Sequence, residues 1–296
     1  MVADIENEYK KFPELKKDEV LKLMDWCKRQ PHLPNLTELE IIIYYHSCYN
    51  SFATTKSCID TALTIRTHCP DFFANRDVLA KDVEAQMNRL LFTPLPGLTP
   101  DGYKVIYSKL MDSDPSNFVF ADALKLYTMV CDLCIMDEGT ANGHIIVMDM
   151  NGVVFGHLAK LGILTMKKFM FYLQEGMPVR LNGLHFVNTV SFMDKVLALM
   201  RPFMKRELLD VLELHSTVES LRKHVFPEQL PNEYGGRAGT FDELREKTYN
   251  HIKENRDFFL REESERRVNE KLRPGKPKGA GDLFGTEGNF KKLEFD

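Results

Sequence analysis

Hydrophobic positions in the first third of the chain recur every three to four residues, the spacing of one helix face. Leu15, Val20, Leu21, Leu23, Met24 and Trp26 form one such stripe, with Pro13 near its start and Pro31 past its end. The QPHLP segment after it is a rigid connection, because proline biases the preceding residue away from helix. Thr37-Glu38-Leu39-Glu40 has the form of a capping box, and Leu39, Ile42, Ile43 and Tyr45 continue at helical spacing. Residues 54–66 and 76–92 predict two further helices, the second bounded by Pro94 and Pro96. Residues 1–95 therefore read as mostly helical, without a strand signal.

The pattern changes after the turn cluster at 97–101. Residues 103–110 are rich in strand formers, and residues 116–137 carry a helical stripe through Ala123, Leu126, Tyr127, Val130, Leu133 and Cys134. Residues 144–150 are almost continuously apolar, which suits a strand of a parallel sheet buried on both faces. A helix over 158–175, a strand over 180–188 and a strongly apolar helix over 192–200 follow. Pro202 interrupts the last, 205–214 resume as helix, and 216–226 are mixed, with room for a short strand at Val225-Phe226. Strand, helix, strand, helix is the βαβ pattern of an α/β domain with a mainly parallel sheet. Residues 241–272 predict one highly charged helix. Its second half has too few apolar residues to bury much and is expected to be exposed. Residues 273–296, rich in Gly, Pro and Lys, are expected to be a flexible tail.

Composition narrows the function classes. Of 296 residues, 44% are hydrophobic and 28% charged, ordinary for a globular protein, and the net charge of −4 provides no global basic field for nucleic acid. No run approaches the ~18 apolar residues that span a bilayer, and the charged N-terminus lacks the apolar core of a secretory signal. The expected location is cytoplasmic. The six cysteines are irregularly spaced, and the Cys131/Cys134 pair lies inside a helical pattern with no second pair to complete a zinc site. GxGxxG after a strand, GxxxxGK[ST], GxSxG and HExxH are all missing. Histidines stand singly. His185, with Asp149 from the neighbouring strand, is the one candidate general base, and no nucleophile or second acid accompanies it. Asp149-Met150-Asn151-Gly152 has the composition of a strand-ending turn. These observations predict no enzyme, no cofactor and no metal. What stands out is apolar mass: 14 Met and 20 Phe in the chain, of which eight Met and six Phe lie between 148 and 204. Arg180, Arg201, Lys205 and Arg206 surround the apolar helix, either as solvated charge or as a patch that attracts anionic lipid headgroups.

Three stretches carry a family resemblance. WCKRQPHLP leads into helices through YYHSCYNSFATTKSCIDTALTIRTHCPDFFANRD; IIVMDMNGVVFGHLAKL lies at the centre; MPVRLNGLHFVN, ALMRPFMKRELLDVLELH and LPNEYGG follow in order. Over about residues 15 to 260 the chain resembles the CRAL-TRIO lipid-binding family, within it the branch of α-tocopherol transfer protein and cellular retinaldehyde-binding protein. The resemblance implies a helical N-terminal domain (1–95) packed on an α/β lipid-binding domain (96–260), ahead of the charged helix end and tail (261–296). It implies an apolar cavity walled by Ala123, Leu126 and Val130, by His144 and Met148, and by Leu161. Phe169, Tyr172 and Leu173, then Met177, Val179 and Leu184, would complete it. Leu126 and Val130 stand where tocopherol transfer protein has serines, which leaves His144 and Tyr172 as the expected polar contacts. The helix carrying Phe192, Val196, Leu197, Met200 and Phe203 corresponds to the family's membrane gate. Arg180 matches one basic position of the branch's phosphoinositide cluster; Asn182, Leu209 and Val211 fall where others would be, with Lys205 and Arg206 nearby. The expected function is a carrier of one small hydrophobic ligand (tocopherol, retinoid, carotenoid or another terpenoid-like lipid) that associates transiently with membranes. The alternative is a lipid-sensing adaptor that recruits a protein partner through its charged helix and tail.

Overall fold

A computed structural model describes residues 2–285. Six helices come first: α1 (Ile5–Lys11), α2 (Lys17–Lys28), α3 (Glu38–Ser47), α4 (Phe52–His68), α5 (Pro70–Phe73) and α6 (Lys81–Arg89). Thr37 caps α3 as expected: Thr37 N–H donates to the Glu40 carboxylate at 2.7 Å, and Glu40 N–H donates to Thr37 Oγ1 at 3.3 Å. Val20 and Leu23 of α2, Ile41 and Ile42 of α3, and Ile59 and Leu63 of α4 bury one another in a core of their own.

The sheet follows. Its chain order is β1 (Leu90–Pro94), β2 (Tyr103–Leu110), α7 (Phe120–Glu138), β3 (Gly143–Asp149), α8 (Phe155–Leu158), α9 (Ile163–Glu175), β4 (Leu181–Val187), α10 (Met193–Met200), α11 (Arg206–Asp210), β5 (Leu212–His215) and α12 (Val218–Leu221). Helices α13 (Phe241–Glu254), α14 (Arg256–Glu265) and α15 (Ala280–Phe284) close the described chain. Strand order is β1-β2-β3-β4-β5, with β1 antiparallel and the others parallel. Each parallel crossover steps to the adjacent strand in the same direction. Right-handed connections therefore place α7, α9 and α10 on one face, here called the inner face. Ile146 of β3 and Leu184 and Phe186 of β4 point to it. Ile145, Val147 and Val187 point to the outer face, where Val218, Leu221, Leu230 and Leu244 cover them.

Four expectations change. First, the strand-free N-terminal third includes β1, because the helix ends at Arg89 and Leu90-Leu91-Phe92 extend beside β2, Leu90 opposite Leu110 and Pro94 opposite Ile106. A continuous apolar run does not distinguish strand from helix by period, and Pro94 is tolerated at the end of an edge strand. Second, residues 205–214 are a short helix and then β5, with Leu184 opposite Leu212 and Val187 opposite His215; Val225-Phe226 is not a strand. Third, the charged segment 241–272 breaks at Asn255, and α14 is not exposed: Phe259 and Glu262 are buried. Fourth, 273–285 are docked. Arg273 reaches Asp60 at 2.6 Å, Lys278 reaches Asp60 at 2.5 Å, and Phe284 sets its edge on Phe171. The rest of the expected tail, from 286, lies outside the described residues.

Glu262 explains the third correction. Arg66 of α4 donates to Asp132 Oδ1 and to Glu262 Oε1, both at 2.6 Å; Arg76 donates to Asp132 Oδ2 at 2.8 Å and to Glu262 Oε2 at 2.5 Å. The Phe73 ring packs against both guanidiniums. Burial opposes ionisation of Asp132, but the two arginines outweigh it and hold the carboxyl below the usual range. Charges at this depth persist only when paired. Here they pin the N-terminal helices, α7 and α14 together.

Candidate functional site

Between the inner face of the sheet and helices α7, α9 and α10 lies a cavity of about 160 Å³. Its floor is Ile146, Met148 and Met150 of β3 and its extension, with Leu184 and Phe186 of β4. Along α7 the lining residues are Phe120, Ala123, Leu124 and Tyr127; along α9 they are Met166, Phe169, Met170 and Leu173. Both sets follow the i, i+3, i+4, i+7 stripe of one helix face. Val196 and Met200 of α10, with Phe192 just before it, close one side, and Val153, His157, Leu158 and Leu161 close the end beyond the carboxyl termini of the strands. The charged residues at this wall are Lys109 and Asp149, and the Asp149 carboxylate is occupied, accepting from the Tyr107 and Tyr234 hydroxyls at 2.6 Å each. Burial and Asp149 together push the Tyr234 phenol up to about 12. Tyr234 belongs to the LPNEYGG turn, which closes only with glycine: a Cβ on Gly236 would lie 1.8 Å from Leu230 O.

Two buried polar atoms at the cavity, Ser108 Oγ and His157 Nε2, have no hydrogen-bond partner among the described residues. The Tyr127 hydroxyl has a weak partner in the Cys131 thiol. His157 Nδ1 lies 3.1 Å from Val154 N and 3.2 Å from Val154 O, which occupies that side of the ring and leaves Nε2 to meet a ligand. A buried polar atom left unpaired costs about 1–3 kcal/mol, which a ligand with one polar end offsets.

Of the residues expected to line a pocket, Ala123, Met148, Leu161, Phe169, Leu173 and Leu184 surround this cavity. Leu126, Val130, His144, Tyr172, Met177 and Val179 are not in its wall. Leu126 and Val130 sit off the cavity stripe of α7, and Tyr172 sits off that of α9. The Tyr172 hydroxyl instead accepts from Arg66 at 3.3 Å. His144 starts β3, at the end of the sheet away from the cavity, and lines a separate cleft with Lys104, Cys134 and Glu138. Burial, with Lys104 beside it, pulls the His144 imidazole down to about 4. Met177 and Val179 lie in the connection from α9 to the start of β4. Sequence reasoning missed Ser108, Tyr127 and His157 as polar groups. The signal for Tyr127 was present, since it completes the stripe begun by Phe120, Ala123 and Leu124. His185 does not meet Asp149; its Nδ1 is 2.8 Å from His215 Nε2 on the outer face.

Among the gate residues, Val196, Leu197 and Met200 are buried, and Phe192 and Phe203 are half-buried. The exposed apolar residues beside the end of the cavity closed by Val153 and Leu158 are Val154, Phe155 and Ile163, and Phe155 stands edge-on to Phe192 at 5.4 Å. The basic residues divide. Arg180 stacks on Tyr49 and donates to His46 O at 2.8 Å. Lys205 pairs with Glu175, Arg206 lies 3.7 Å from Asp210, and Arg201 is exposed. A larger cleft of about 600 Å³ lies among α1, α3, α7 and α14, but the buried ion pairs of Arg66, Asp132 and Glu262 are in its wall. Among the described residues no helix is long and apolar enough to cross a membrane.

Comparison with known proteins gives a family match over half the chain. The CRAL/TRIO domain matches residues 88–236, and the Pinta-like, UBA domain matches residues 12–83. The human alpha-tocopherol transfer protein-like protein is 30% identical over 207 residues, covering 69% of this chain and 55% of that protein. Rat clavesin-1 is 29% identical over 162 residues, covering 53% and 46%. The chain spans about half the length of the curated relatives it matches. The solved structure of Sfh5 aligns over 87% of this chain and 99% of that one, at 15% identity and a TM-score of 0.49.

Proposed function

The chain belongs to the CRAL/TRIO domain family, and from that premise we propose that it carries one small hydrophobic molecule and exchanges it at membranes. The observation that carries this reading is the inner-face cavity, whose wall is apolar except for Lys109, Asp149, the Tyr127 hydroxyl and the buried polar atoms of Ser108 and His157. Such a site suits a hydrocarbon body with one hydroxyl or carbonyl, as in a tocopherol, retinoid or other terpenoid alcohol. That one matched relative is named as like the alpha-tocopherol transfer protein agrees with this class.

Volume bears on mechanism. A cavity near 150 Å³ takes a molecule of benzene size, whereas pockets for drug-sized ligands run to about 300–1,000 Å³. At about 160 Å³, this one must widen to admit a terpenoid. Met148, Met150, Met166, Met170 and Met200 can repack at low cost, and α10 is a short element of the wall. In this reading α10 is the gate, and Val154, Phe155 and Phe192 meet the membrane when it opens. Arg201 and Arg206, exposed on the segment after α10, would attract anionic headgroups; a phosphoinositide is one candidate. The parts we propose are a helical scaffold (1–95), a ligand-holding part (96–260) and a C-terminal part (261–296), with β1 contributing Leu90 and Phe92 to the cavity across the first boundary. The adaptor reading is weakened because Glu262 and Arg266 of the charged segment are spent on Arg66, Arg76 and Glu40.

Native mass spectrometry of the purified chain with organic extraction tests the proposal. A co-purifying terpenoid-class lipid is expected, and Met148→Arg, which puts a charge into the cavity floor, is expected to abolish loading with the circular dichroism spectrum retained. Unchanged loading in Met148→Arg would place the ligand elsewhere.

A further inference from the structure

The outer face of the sheet holds a second cluster, separated from the cavity by the sheet itself. His185 of β4 and Glu213 and His215 of β5 sit on paired strands, with His185 opposite Glu213 in register. His224 comes back to them from the turn after α12, its ring 4.5 Å from that of His185. One ligand atom from each of the four side chains lies within 4.8 Å of every other. His185 Nδ1 is 2.8 Å from His215 Nε2, and His224 Nε2 is 3.1 Å from Glu213 Oε2. His185 and His215 are buried, whereas Glu213 is exposed and His224 half-buried, so an ion has a path in from solvent.

From this convergence we propose that His185, Glu213, His215 and His224 form a site for one divalent transition-metal ion, Zn²⁺ by preference. Three imidazoles and a carboxylate are a usual donor set for Zn²⁺, which takes four ligands in a tetrahedron at about 2.0–2.2 Å. Adjacent ligands of such a tetrahedron are about 3.3 Å apart, so the two buried rings separate by roughly half an ångström as the ion replaces their hydrogen bond. The outer partner that fixes a ligating histidine is already in place. His215 Nδ1 lies 2.9 Å from Ser220 Oγ, whose own proton goes to Thr217 O, so His215 donates through Nδ1 and turns its Nε2 lone pair toward the cluster. The site joins β4, the edge strand β5 and the turn after α12. It would therefore staple the edge of the sheet that directly follows α10 and α11, a structural role independent of what the cavity holds.

The test is titration of the dialysed full chain with Zn²⁺ by calorimetry, with native mass spectrometry for stoichiometry and Co²⁺ visible absorption for coordination. One ion per chain is expected at this site. His224→Ala and Glu213→Gln, both at the solvent edge where the fold tolerates change, should each weaken binding tenfold or more. The double variant His215→Ala/His224→Ala should lose one ion relative to the parent, and His32→Ala should lose none. Equal stoichiometry and affinity in the parent and in His224→Ala, or no bound ion in the parent, would overturn the proposal even if variants of the buried histidines fail to fold.

Discussion

Two histidines show how position decides role. His157 ends the cavity with a buried ring nitrogen that has no partner among the described residues, so a ligand hydroxyl gains a hydrogen bond worth about 1 kcal/mol there. His157→Leu is expected to weaken binding of a terpenoid alcohol roughly fivefold while leaving its hydrocarbon analogue unchanged; fluorescence displacement with the pair of ligands reads the difference. His144 is buried neutral, its value held near 4 by burial and by Lys104. Its folded value lies below the unfolded one of about 6.5, so acid protonates the unfolded chain first. Stability is then greatest above pH 6.5 and falls toward pH 4, with about 2 kcal/mol lost from this residue between pH 7 and 5. His46, held near 3 by burial and then Arg180, adds in the same direction. Melting temperatures measured from pH 7 to 5 should fall, and His144→Asn should flatten that slope.

At the scale of elements, the buried ion cluster is the joint between the N-terminal helices and the rest. Arg76→Ala leaves the buried Asp132 with Arg66 alone and Glu262 with Arg66 and the more distant Arg267, and is expected to cost about 3–5 kcal/mol, measured by denaturant unfolding. The elements themselves were mostly legible in the sequence. The strands at 103–110 and 181–187 and the helices α7, α9 and α10 follow from their apolar periods. Where the sequence misled, the cause was partner choice. Glu262, Arg266, Arg273 and Lys278 read as solvated charge because their partners Arg66, Glu40 and Asp60 lie some 200 residues earlier. β1 was hidden because an apolar run of three has no period. In the cavity, Ala123, Met148, Phe169 and Leu173 were legible from the resemblance. Its polar end was not, because no local pattern marks Ser108 or His157 as lacking a partner. The histidine cluster was equally invisible, since parallel strand pairing alone brings residues 185, 213 and 215 side by side.

The whole molecule is a layered α/β body whose proposed work depends on one wall. Helix α10 is eight residues long and lines the cavity, and the exposed Phe155 packs edge-on against Phe192 at its head. Phe155 is 55% exposed, so Phe155→Asp should leave folding and equilibrium loading intact. It should slow transfer of a fluorescent terpenoid between liposomes several-fold, because the charge opposes insertion at the opening end. Transfer at the parent rate would remove this patch from the exchange step.

The ion cluster also bears on how the chain is made. Glu262 reaches back 196 residues to Arg66 and 186 to Arg76. At about 5–20 residues per second, a ribosome needs roughly 10–40 s to travel that distance. Throughout that interval the N-terminal helices hold two arginines with at most one of their two carboxylates, and they cannot dry their joint. The N-terminal helices thus emerge first with a core of their own, but their joint to the rest closes only after α14 has been made.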